Sequence, residues 1–180
     1  VRDVGVPKLV LASSGAAYGE QSQTPISESA PPNPGSPYAV SKLAAEYYCR
    51  TVGRLAGFET VVLRIFNAYG PGQPLPAAHA PVIPLFLRRA NNGGSIVIFG
   101  DGNQTRDFVY IDDVTDALQA AAVRPGLDGQ VINIGSGREC SIRELVSLVE
   151  NATGRRVNPI FNPSQEGGVS HSVADISLAS

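Results

Sequence analysis

Short apolar runs alternate with amphipathic stretches along most of the 180 residues. "KLVLASS" (Lys8 to Ser14) is a nearly continuous apolar run ending in small polar residues, the pattern of a parallel-sheet strand buried on both faces. "SPYAVSK" opens a helix, with Ser36 as N-cap and Pro37 at the first helical position, where a missing N–H costs nothing. "TVVLRIF" (Thr60 to Phe66) is a second buried strand, rich in β-branched residues, so the three segments predict a strand–helix–strand crossover. A loop rich in proline and serine separates the first strand from the helix, over residues 20–35.

Further on, "NAYGPGQPLPAAHAPVIP" predicts a long proline- and glycine-rich loop, a kind of segment that is usually functional. "LFLRRANN" predicts a short helix, "SIVIFGDG" a strand and turn, and "DFVYIDD" another strand. Asp112 or Asp113 then opens the helix "VTDALQAAAV", placing a carboxylate at the positive end of the helix dipole. "GQVINIGSG" ends a strand in glycines, and Ser141 with Glu144 forms a capping box before a helix reaching about Thr153. At the C-terminus "VADISLAS" predicts the start of one more helix. Strand and helix alternate throughout, so the class is α/β.

Composition narrows the function classes. A net charge of −2, 43% hydrophobic and 17% charged residues describe a globular protein with no basic stripe for nucleic acid. Cys49 and Cys140 lack metal-ligand spacing and read as reduced structural thiols, and His79 and His171 stand far apart, so no metal is expected. No apolar run approaches the roughly 20 residues of a membrane span, and the first residues do not form a signal peptide. The expected compartment is cytoplasmic.

Tyr38 and Lys42 are four residues apart on one helix and project from one face. By itself such a pair is commonly an inert surface pair. With Ser14 at a strand end it resembles the Ser/Tyr/Lys constellation of the short-chain dehydrogenase/reductase superfamily. "ASSGAAYGE", "SPYAVSKLAAE", "LRIFNAYGPGQ", "GDGNQTRDFVYIDDV" and "INIGSG" occur in the order seen in its extended branch, the NAD-dependent nucleotide-sugar epimerases and dehydratases. The resemblance covers essentially the whole chain and is strongest to the UDP-glucose 4-epimerases.

That resemblance implies the latter part of a Rossmann-like parallel sheet (residues 1–68 and 107–134) with a smaller α/β region for the nucleotide-sugar (69–106 and 135–180). It implies NAD as cofactor, a substrate such as UDP-glucose or UDP-galactose, and a homodimer. Epimerization at C4 removes a proton from the sugar 4-hydroxyl and a hydride from its carbon, then returns the hydride to the other face of a transient ketone. Tyr38 would be the base, its phenolate favoured by the Lys42 ammonium and the charged nicotinamide, and Lys42 would also hold the nicotinamide ribose. Ser14 would hydrogen-bond the same sugar oxygen, with the adjacent Ser13 as a cofactor contact. Asn67 and Arg106 match positions that contact the nucleotide-sugar phosphates, although each could instead anchor its loop and Arg106 could pair with Asp107. Phe99 matches a base-cradling position but could equally be core. Asn133 and the glycines after it match a structural turn.

Two departures matter. Gln165 stands where many relatives carry a second phosphate-binding arginine. Gly15 and Ala16 stand where 4,6-dehydratases carry an Asp-Glu pair and decarboxylating relatives a glutamate, which leaves epimerization. A 4-ketosugar reductase, or a non-catalytic module of the same fold, is the alternative reading. No glycine-rich dinucleotide turn follows the first strand, so the chain is expected to be a piece of a longer protein, inactive when isolated.

Overall fold

The computed structural model describes residues 5–76, 80–164 and 168–180. Its centre is a parallel sheet of β1 (Lys8–Ser14), β2 (Glu59–Ile65) and β7 (Val131–Ile134), in the order β1-β2-β7. Between β1 and β2 the chain makes a single 3₁₀ turn (Gly15–Tyr18), a long loop and the helix α1 (Pro37–Ala56). The helix begins as its sequence dictates: Ser36 is extended and its side chain accepts from the Ala39 N–H, with Pro37 next. It ends at Gly57, whose left-handed backbone (φ 74°) returns an N–H to the Gly53 carbonyl.

Expected burial of β1 on both faces does not hold. It pairs with β2 alone among the described residues, so most of it is half-buried, Ala12 is exposed and only Ser13 is enclosed. β2 lies between two neighbours and is buried from Thr60 to Arg64.

Beyond β2 come β3 (Asn67–Tyr69), α2 (Val82–Asn91), β4 (Ile96–Phe99), β5 (Thr105–Arg106), β6 (Phe108–Tyr110) and α3 (Ile111–Val123). After β7 come β8 (Cys140–Ser141), α4 (Ile142–Thr153) and β9 (Pro159–Asn162). The stretch expected to be one long loop thus begins as a strand paired with β6 and ends in α2. His79 within it lies outside the described residues. Asp112 and Asp113 sit in the first turn of α3, but Tyr110 holds the N-cap position. At α4 the Ser141 hydroxyl accepts from the Glu144 N–H as expected. At the C-terminus, where a helix start is expected, residues 177–179 form turns, with the Asp175 carboxylate accepting from Ser177 N–H and Ala179 N–H donating to the Ile176 carbonyl.

Three apolar clusters hold these layers together. On one face of the sheet, Val61, Leu63, Ile132 and Ile134 pack against Val114 and Ala121 of α3. Phe86, Ile96, Ile98, Leu145 and Val149 join α2, β4 and α4 into a second core. Tyr18, Ile26, Phe66 and Ala174 form the third, between the strand ends and the C-terminal segment. The candidate site lies where these clusters meet.

Candidate active site

Parallel strands aim their carboxyl ends at one edge of the sheet, and ligands of open α/β folds bind there. Ser14 closes β1 and caps the 3₁₀ turn, its Oγ accepting from the Ala16 N–H at 3.2 Å, which leaves its O–H hydrogen available. Phe66 and Asn67 follow β2 directly. Ser14, Phe66, Asn67 and Arg106 line a cavity of about 300 Å³. Asn67 and Arg106 also line an adjoining cavity of about 750 Å³ that runs past Phe86 to Phe99, His171 and Ser164. The two form one trough from the sheet edge to β4.

Arg106 is the trough's principal cation. It is half-buried, its Nη1 donates to the Thr105 carbonyl at 2.7 Å, and it has no ion-pair partner among the described residues. Burial pushes its pKa below the usual arginine value, partly offset by Glu20. A desolvated guanidinium without a carboxylate is a ready anion ligand.

The alternative pairing with Asp107 is not made. Asp107 is fully buried, and its carboxylate accepts from Ser136 N–H and Oγ (2.7 Å each), Gly137 N–H (3.0 Å) and Ala174 N–H (3.1 Å). The turn after Asn133 is therefore an anion cradle filled by the protein's own carboxylate. A Cβ on Gly135 would stand 2.5 Å from Asp107 Oδ2, so glycine is required there. Asn133, fully buried, accepts from Tyr18 Oη at 2.7 Å and donates to the Ile26 and Asp175 carbonyls.

Asn67 anchors its loop, its Nδ2 donating to the Asp107 carbonyl at 3.0 Å, and the residue also lines both cavities. Phe99 is not core. β4 alternates, sending Ile96 and Ile98 inward and leaving Phe99 43% exposed at the trough. Gln165 lies outside the described residues.

Tyr38 and Lys42 lie on the first two turns of α1. Tyr38 is 56% exposed, and Lys42 Nζ lies 5.8 Å from its ring centre while donating to the Ala12 carbonyl at 3.2 Å. That bond ties the amino-terminal part of α1 to the carboxyl end of β1 and leaves two ammonium hydrogens free. Ser13, expected as a cofactor contact, does not face outward: it is buried and its hydroxyl donates to Glu46 of α1. Neighbouring residues of a strand point to opposite faces, so Ser13 and Ser14 cannot share a site.

The sequence reading missed the groups beneath this surface. Glu46 accepts from Arg64 Nη2 at 2.7 Å and Nε at 3.0 Å, and the Arg64 guanidinium lies 4.5 Å from the Tyr18 ring centre. One signal was present: an arginine inside "TVVLRIF" is a charge within a buried run, and buried charges are paired. A separate hollow of about 600 Å³, between Arg50, Arg54 and Asp128, lies at the opposite ends of the strands. Among the described residues no group of three or more His, Cys, Asp or Glu could hold a metal ion, and no helix is long and apolar enough to cross a membrane.

A family model described as the NAD dependent epimerase/dehydratase family matches residues 1–135. The chain belongs to this family. A putative UDP-glucose 4-epimerase of Methanocaldococcus jannaschii is 41% identical over 180 residues, covering 99% of this chain and 58% of the relative. A UDP-glucose 4-epimerase of Mycolicibacterium smegmatis is 39% identical, covering 97% and 55%. Among solved structures, the UDP-glucose 4-epimerase of Thermotoga maritima with UDP-glucose superimposes with a TM-score of 0.92 at 38% identity, covering 99% of this chain and 57% of that one. The Thermus thermophilus UDP-glucose 4-epimerase in complex with NAD gives 0.87 at 36% identity, covering 97% and 57%. The Rossmann-like half-sheet of this epimerase/dehydratase chain is thereby established, and the chain spans little more than half the length of these relatives.

Proposed function

We propose that this chain carries the catalytic face and the nucleotide-sugar trough of an NAD-dependent nucleotide-sugar 4-epimerase. The observation that carries the reading is the position of α1. Lys42, tethered to the Ala12 carbonyl, stacks near Tyr38 on one face of α1 at the carboxyl end of β1, whose last residue, Ser14, lines a trough with a cation that has no carboxylate partner among the described residues.

The residues present fit one end of the cofactor. Exposed Tyr38 and the two free hydrogens of Lys42 offer donors to a nicotinamide ribose. The pyrophosphate cradle of a dinucleotide fold, a glycine-rich turn opening a helix, does not lie between β1 and α1, where the chain makes a 3₁₀ turn and a proline-rich loop. When bound, NAD supplies the hydride acceptor and donor for the sugar C4. Tyr38 takes the proton of the 4-hydroxyl and returns it, and Ser14 donates a hydrogen bond to the same oxygen as its charge develops. Arg106 and Asn67 hold the phosphates, and Phe99 packs against the base. The regions 1–68 with 107–134, and 69–106 with 135–180, divide this labour between redox chemistry and substrate.

The surroundings of Ser14 favour epimerization over water elimination. A Cβ on Gly15 would meet the Phe66 ring at 3.0 Å, so an acidic side chain there would require Phe66 to move, and Ala16 offers no proton. Two copies are proposed to pair through the outer side of α1, where Tyr48 and Leu55 are 72% and 79% exposed. Sedimentation of the purified chain should give the mass of a dimer, and a monomer would refute that pairing.

In a chain of the relatives' full length, Tyr38→Phe should lower the interconversion of UDP-glucose and UDP-galactose by at least ~10²-fold, the contribution of a positioned acid–base group. Binding of the nucleotide-sugar should change little. A near wild-type rate would remove Tyr38 from the mechanism. Net consumption of reduced cofactor would mark a ketosugar reductase instead.

A further inference from the structure

Tyr38, Lys42 and Glu46 recur every four residues and form one stripe along α1. Exposure falls along it, from 56% at Tyr38 to 2% at Glu46. At its buried end Glu46 receives three donors from the sheet: the Ser13 hydroxyl on β1, and Nε and Nη2 of Arg64 on β2. Ser13 and Arg64 are direct partners in the register of β1 and β2, and Asn133 is the partner of Arg64 on β7. Side chains in register on parallel strands share a face, so a polar row crosses the sheet one residue before the strand ends. Tyr18 roofs that row, its ring on Arg64 and its hydroxyl on Asn133.

A buried ion pair adds little stability over apolar residues of the same volume, because desolvation offsets its attraction. Its directionality is what apolar packing lacks. The two-pronged grip of Arg64 fixes both the position of Glu46 along the helix and the rotation of the helix about its axis. Each residue of rotation is about 100°, so a small slip would carry Tyr38 and Lys42 off the strand ends.

We propose that Glu46, held by Arg64 and Ser13, is a positioning residue that sets the rotation of α1 and so aims Lys42 and Tyr38 at the carboxyl end of β1. The proposal rests on the functional reading above only in calling that face catalytic. Its test therefore needs no turnover.

Lys8 and Lys42 are the chain's only lysines. Lys8, at the far end of β1, donates to the Arg124 carbonyl and pairs with Glu59, away from the polar row, and so serves as an internal reference. The variant Ser13→Ala/Glu46→Leu/Arg64→Met removes every partner of the cluster together and leaves no orphaned charge. Brief acetylation with acetic anhydride, read by mass spectrometry, gives the ratio of Lys42 to Lys8 modification alongside the thermal unfolding midpoint. The expected result is an unfolding midpoint near wild type with the ratio raised about fivefold, the factor that freeing Lys42 from one hydrogen bond implies. A merely structural role would leave that ratio unchanged in a folded variant, and an unchanged ratio overturns the proposal. If the triple variant does not fold, Arg64→Lys keeps the charge but loses the two-pronged grip. A raised ratio there carries the same support, and a wild-type ratio overturns the proposal. Absence of epimerase activity in a full-length chain would refute the functional reading while leaving both outcomes readable.

Discussion

Arg106 and Asp107 are adjacent in sequence and opposite in role. Asp107 has four hydrogen-bond donors on its carboxylate and is fully enclosed, so it fixes the turn after β7 to the C-terminal segment. Arg106 carries a charge that burial disfavours, eased only partly by Glu20. The structure thus holds a cation at some cost at the junction of two cavities, and an anion arriving there recovers that cost. Arg106→Met should therefore weaken UDP binding by at least about tenfold, the scale of one charge-assisted hydrogen bond, while thermal stability is kept or rises. Calorimetric titration with UDP checks the first outcome and a melting curve the second. Equal UDP affinity in the variant would mean that Arg106 serves only its own loop.

Helix α1 is held to the sheet at more than one level. Near its middle Glu46 grips Arg64, and near its end Gly53 lies directly on β2: a Cβ there would stand 2.4 Å from Thr60 Cγ2 and 3.0 Å from the Phe58 carbonyl oxygen. Gly53 is thus a close-approach glycine. Gly53→Ala, which in an exposed helix would gain about 1 kcal/mol of helix propensity, should here lose about 1–3 kcal/mol through overpacking. Urea unfolding measures the difference, and stabilisation would show that the contact relaxes freely. Most of α1 was legible in the sequence, because Ser36, Pro37 and the apolar spacing are local signals. Its attachment was not. The Gly53–Thr60 and Glu46–Arg64 contacts join residues that only the folded crossover brings together, so no local period announces them. The same reason hid β9, whose four residues are all exposed and find their pairing with β4 63 residues away along the chain.

At the scale of the whole molecule, described residues line the trough proposed for the nucleotide-sugar, whereas the contacts proposed for the cofactor are those of Tyr38 and Lys42 alone. Family motifs made Ser14, Asn67, Phe99 and Arg106 of the trough readable from sequence; the inward turn of Ser13 and the outward face of Phe99 became visible only with strand register. A chain divided in this way should behave asymmetrically toward its two ligands. Titration calorimetry of the 180-residue chain with UDP-glucose, and separately with NAD, tests this most directly. The account predicts measurable UDP-glucose binding, NAD binding too weak to resolve at micromolar concentrations, and no epimerase turnover. Micromolar NAD affinity with 4-epimerase turnover, or no UDP-glucose binding at all, would contradict it.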